Sequence, residues 1–210
     1  MDAGYPPTRT VGIVLYPDFE ALDVFGPVEA FVTARFLGTD YLKPDPRPFH
    51  VIFVAETLDP IACYCGPRAV PDHTFDSCPP LDVVLVPGGF GSSAAAGNQA
   101  ILRFLKTCVE DPKVAVVASV CTGAEVLASA GVLDGLPAAT NHQAFDMVSR
   151  GAPRVLWDNV SRWVDAGKLV TSAGVSAGID MALYLVARLA GRTVAENAAA
   201  TMEYDWRRTP

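Results

Sequence analysis

Short aliphatic and β-branched runs alternate along the chain with longer stretches of helical periodicity. Residues 10–16 (TVGIVLY) are continuously apolar, the pattern of a strand covered on both faces. Pro27 then suits the first turn of a helix carrying Val28, Ala30, Phe31, Val32 and Phe36. Residues 50–55 predict a second strand, 62–75 a hairpin or loop, and 82–87 (DVVLVP) a third strand that runs into Gly88-Gly89-Phe90-Gly91. Helical spacing of Ile101, Leu102, Leu105 and Val109 marks 98–110, and 114–118 (VAVVA) is another buried strand, followed by a helix over 122–130. A helix over 141–150, strands over 155–164 and 168–171, and helices over 176–189 and 193–204 complete the pattern. Ser176 and Thr193 are candidate caps, and Asp180 suits the positive first turn of its helix. Alternating strands and helices predict a three-layer α/β sandwich with a mostly parallel central sheet. There is no repeat and no linker, so residues 9–205 form a single domain after a frayed tail over 1–8.

Composition narrows the class. In 210 residues, half are hydrophobic and 19% charged, which excludes a disordered chain. The net charge of −7 leaves no basic stripe for nucleic acid. No apolar run reaches the roughly 20 residues of a membrane span, and no leader opens the chain. The five cysteines form neither a disulfide framework nor a zinc quartet. The expectation is a cytoplasmic protein with no metal and no cofactor, binding a small molecule.

In a parallel sheet the working crevice lies at the carboxyl ends of the strands, so the residues after each strand matter most. Cys121 follows the fourth strand, with Ser119 two residues before it and Gly123 two after. This is the cysteine counterpart of a nucleophile elbow, in which small flanking residues permit a tight strand-to-helix turn. The helix N-terminus is expected to lower the thiol pKa. Gly88 and Gly89 follow the third strand, where free N–H groups, with the amide of Thr122, could build an oxyanion hole. After the first strand stand three acids, Asp18, Glu20 and Asp23, each a candidate proton carrier or simply a cap or turn acid. Local pattern leaves all three open. His142 lies at another strand end, as a partner for Cys121 or as a structural histidine. Phe25, Phe90 and His142 are candidate lining residues of the pocket.

Ser119 to Ala124 (SVCTGA), Val86-Pro-Gly-Gly89, Leu22-Asp23 with Gly26-Pro27, Ala139-Thr140 before His142, and 171–180 (TSAGVSAGID) together resemble the ThiJ/PfpI superfamily. The similarity spans about residues 9–205, nearest to its isocyanide hydratase branch and to the sensor halves of AraC-type regulators. The resemblance implies a flavodoxin-like sandwich, usually a homodimer. It also implies that Cys121 is the nucleophile, that Asp23 is the acid contacting it, and that Gly89 and Thr122 supply backbone donors. The implied reaction is cofactor-free hydration of an isocyanide to an N-substituted formamide, with Asp23 moving the proton. Glyoxalase- or amidase-like chemistry, or a non-catalytic cysteine sensor, are the alternatives. Two features depart from neighbouring branches. Thr122 stands where the protease-like branch has histidine after its cysteine, and the chain reaches Pro210 without a helix-turn-helix pattern. Asn141 precedes His142 where the hydratase branch has threonine.

Overall fold

A computed structural model describes residues 4–39 and 46–210. The first strand, β1 (Arg9–Val14), is followed by α1 (Ala21–Thr33) and β2 (Phe49–Ala55). Two short strands, β3 (Ile61–Ala62) and β4 (Arg68–Ala69), pair antiparallel, and β5 (His73–Thr74) returns to pair with β2. Then come β6 (Val83–Val86), α2 (Ser92–Gly97), α3 (Gln99–Glu110), β7 (Val116–Ser119) and α4 (Gly123–Ser129). The chain continues through β8 (Pro137–Ala139), α5 (Phe145–Gly151), β9 (Leu156–Asp158), β10 (Trp163–Ala166) and β11 (Leu169–Ser172). It ends with α6 (Ala177–Ala190) and α7 (Arg192–Thr201).

Among the described residues the main sheet has seven strands in the order β10-β11-β7-β6-β1-β2-β5, parallel except where β10 meets β11. Every residue of β6, β7 and β11 is buried, as expected of strands covered on both faces, and the burial takes in the polar Ser119, Thr171 and Ser172. Helices α1, α6 and α7 pack together on one face, and α2, α3 and α4 on the other. The architecture is therefore the α/β three-layer sandwich expected, with a flavodoxin-like, mostly parallel sheet. No helix of the described residues is long and apolar enough to cross a membrane.

Several boundaries differ from the pattern. Pro27 lies inside α1, which starts six residues earlier at Ala21. The single strand expected over 155–164 is broken in two, because the Asp158 carboxylate accepts the N–H groups of Val160 and Ser161 and folds a turn there. Ser176 makes no side-chain cap, and α7 begins at Arg192 with Gly191 as its cap, so Thr193 lies inside. The frayed tail expected over 1–8 falls partly outside the described residues. Within it, the Tyr5 ring stacks on Phe36 at 5.0 Å.

Candidate active site

The chain order of the sheet reverses on either side of β1, which leaves a crevice beyond the carboxyl ends of β1, β6 and β7. Three segments meet there: residues 16–20, residues 87–91 and the elbow at Cys121. The elbow is tight. Cys121 has φ 58°, a left-handed conformation that disfavours a side chain by about 1–2 kcal/mol. Neighbours hold it there. Its N–H donates to the carbonyls of Ser172 and Ala173 at 3.2 and 3.3 Å, and its carbonyl accepts the Thr140 hydroxyl at 3.0 Å. Gly123 is required on the far side, because a Cβ there would lie 2.3 Å from the Val86 carbonyl oxygen.

Asp23, in the first turn of α1, is fully buried against this elbow. One carboxylate oxygen accepts the Gly88 N–H at 2.9 Å, while the other has no hydrogen-bond donor at ordinary distance. The Cys121 thiol also hydrogen-bonds toward this carboxyl and favours its charged form. Burial is the larger influence and, with the nearby Glu20 charge, pushes the Asp23 pKa up to about 7. Gly88 leaves no room for a side chain: a Cβ there would sit 2.5 Å from the Thr122 nitrogen and 2.9 Å from Asp23.

The thiol differs from expectation. Burial first, and then the Asp23 charge, push the Cys121 pKa up to about 11 rather than down. Three donors oppose them: the Asn141 amide at 3.2 Å from the sulfur, and the N–H groups of Thr122 and Val175. The helix that follows is only seven residues long, and its dipole does not offset a nearly dry site beside a carboxylate. Near neutral pH the negative charge therefore sits on Asp23, and Cys121 is held as the neutral thiol. Once Asp23 is ionised it is poised near neutrality to take the thiol proton.

Cys121 opens into a cavity of about 400 Å³ whose lining includes Glu20, Gly89, Phe90, Asn141, Met147 and Val175. Of the sequence-derived candidates, Cys121, Thr122, Gly89 and Phe90 line it, and Asp23 and Gly88 sit directly behind it. The Gly89 N–H is not turned to the cavity as an open donor, since it donates to the Thr122 hydroxyl at 3.0 Å. Phe25 and His142 do not line it. Phe25 is half-exposed on α1 with its ring edge-on to Phe53, and His142 is exposed. Asn141 explains why His142 turns away. Its side-chain oxygen accepts the N–H groups of Gln143 and Ala144, and its amide reaches the sulfur, so the adjacent residue faces out. Asn141 was not among the candidate site residues read from the sequence, where it stood out only as the residue before His142 at which the hydratase branch has threonine. Among the described residues no group of three or more histidine, cysteine or acidic side chains is arranged to hold a metal ion.

Residues 9–188 match the model of the DJ-1/PfpI family. The chain is 32% identical over 194 residues to the isonitrile hydratase of Pseudomonas putida, covering 92% of this chain and 78% of that protein. It is 29% identical over 208 residues to the HTH-type transcriptional regulator GbdR of Pseudomonas aeruginosa, of which it spans 53%. The crystal structure of a ThiJ/PfpI family protein from Pseudomonas syringae superposes with a TM-score of 0.80 at 30% identity, over 95% of this chain and 76% of that one.

Proposed function

Given that the chain belongs to the DJ-1/PfpI family, we propose that it is a cysteine-dependent hydratase converting a small isocyanide to its N-substituted formamide. One observation carries the reading: a nucleophile-type elbow holds Cys121 at the floor of a cavity with a buried carboxyl at its back. The likeness to the Pseudomonas putida isonitrile hydratase supports the choice of substrate.

The steps use the chain's own side chains. The Cys121 sulfur attacks the terminal isocyanide carbon as Asp23 takes the thiol proton and returns it to that carbon, giving a thioimidate. Water adds to the thioimidate carbon, with one proton passing through Asp23 to the nitrogen. The tetrahedral adduct then expels the thiol and releases the formamide. Asn141, with the N–H groups of Thr122 and Val175, stabilises sulfur when it carries charge, as attacking and as leaving group. Gly88 holds the carboxyl in place through its N–H.

The test is formamide production from an aryl isocyanide. Wild type is expected to turn over, and Cys121→Ala to lose activity by a factor of 10³ or more while keeping its fold. Wild-type enzyme that makes no formamide would remove the substrate assignment. A sensor reading has its own support in the likeness to GbdR. It calls for peroxide to add oxygen to Cys121 in place of any turnover. The reading places the protein in a reducing compartment such as the cytoplasm, where its free cysteines stay thiols.

A further inference from the structure

The cavity above Cys121 is lined by a carboxylate and, among the described residues, by no lysine, arginine or histidine. That carboxylate belongs to Glu20, whose backbone is fixed because its N–H donates to the Gly88 carbonyl at 2.8 Å. Glu20 occupies the cap position of α1, yet its side chain makes no capping hydrogen bond. Among the described residues its carboxylate has neither an ion-pair nor a hydrogen-bond partner. It is half-buried, and its charge is felt at Asp23. With no neighbouring cation to offset it, this charge acts on whatever enters the cavity. Phe90 lines the same cavity, with Tyr64 stacked on it at 4.0 Å. An aromatic ring packs on neutral apolar groups and presents a negative face that attracts cations.

We propose that Glu20 selects the substrate by charge, so that the site takes electrophiles bearing a cationic or neutral apolar substituent and excludes anionic ones. The inference rests on the reading of Cys121 as the reacting group but not on isocyanide chemistry. For an isocyanide substrate, the group on nitrogen would then be an alkyl or aryl unit carrying an ammonium or no charge, never a carboxylate, sulfonate or phosphate. Glu20 is a specificity residue in this scheme: it touches the substituent and not the reacting carbon.

The experiment uses three methanethiosulfonates that differ only in the transferred group: 2-(trimethylammonium)ethyl, methyl and 2-sulfonatoethyl. In each, the Cys121 thiolate forms a disulfide with the transferred sulfur, the S–SO₂ bond breaks, and methanesulfinate leaves with the electron pair. Rates at Cys121 are followed by mass spectrometry of its peptide, which separates it from exposed Cys65, and each is divided by the rate with a small free thiol. Dividing cation by anion rate also cancels any change in the thiolate population caused by substitution. The wild-type ratio is expected to be about tenfold or more. Glu20→Gln should reduce it about fivefold or more, and Glu20→Asp should retain most of it. An equal ratio in Glu20→Gln and wild type, no preference in wild type, or no labelling of Cys121 by any reagent would each overturn the proposal. Formamide assays fail or succeed independently of these ratios, so loss of the hydratase reading would be seen separately.

Discussion

Cys121 and Asp23 are two acids confined in one dry space, and their chemistry follows from that confinement. Burial raises both, Asp23 to about 7 and the thiol to about 11. Between those values the pair carries one negative charge, seated first on Asp23. The rate kcat/KM for an isocyanide is therefore expected to rise with pH through about 7, as Asp23 becomes able to accept the thiol proton. Asp23→Asn should lose that limb and fall by a factor of about 10² to 10⁴; an unchanged profile would remove Asp23 from the proton path. The same shift has a cost in stability. A carboxyl that holds its proton more tightly folded than unfolded stabilises the fold fully below its unfolded value near 3.8, and that contribution is lost as pH rises through about 7. Asp23→Asn should therefore gain about 3 kcal/mol relative to wild type between pH 5 and pH 8, read by denaturant unfolding at the two pH values. The sequence left Asp18, Glu20 and Asp23 equivalent, because all three stand in one short apolar segment. Folding separates them: Asp18 turns the chain at φ 59°, Glu20 lines the cavity, and only Asp23 enters the core. That choice depends on the helix phase of α1, and the resemblance supplied it where local pattern had no means to.

At the level of elements, the buried strands were the most legible, since β1, β6 and β7 announce themselves by unbroken apolar runs. α2 was not legible: its six residues are serine, alanine and glycine, with no apolar stripe to reveal a period. Asp180 was read as a first-turn acid of α6 and has a larger role. Fully buried, it pairs with Arg162 and accepts the Arg207 N–H at 3.0 Å, tying the residue before β10 and the C-terminal segment to the start of α6. Such a contact joins residues 18 and 27 positions apart, beyond the reach of any local pattern. Removing the guanidinium leaves that buried charge poorly paired, so Arg162→Ala is expected to cost about 3 kcal/mol. Denaturant unfolding measures it, and a loss below about 1 kcal/mol would show the pair to be incidental. Gly88 links element to site in the same way. Gly88→Ala would push a methyl group against Asp23 and the Thr122 nitrogen. Turnover should fall at least tenfold with the far-ultraviolet spectrum unchanged, and full activity would show that the Gly88–Asp23 contact is dispensable.

For the whole molecule, the alternation of strands and helices was enough to give the three-layer arrangement and to point to the carboxyl ends of the strands. It could not say which loops converge there, because that is fixed by strand order, and β1 lies between β6 and β2 rather than at an edge. The resemblance also implies a homodimer; light scattering should return about twice the 22.2 kDa of one chain, and a monomer mass would remove that expectation. Hydration by this site requires that turnover pass through a covalent bond to Cys121. That requirement is tested most directly by mixing an aryl isocyanide with excess protein, quenching in acid at successive times and weighing the Cys121 peptide. The expected result is a transient gain equal to the mass of the intact isocyanide, appearing before the formamide, decaying as it forms, and absent from Cys121→Ala. Formamide that accumulates while Cys121 stays unmodified throughout, or that Cys121→Ala produces at the wild-type rate, would contradict it.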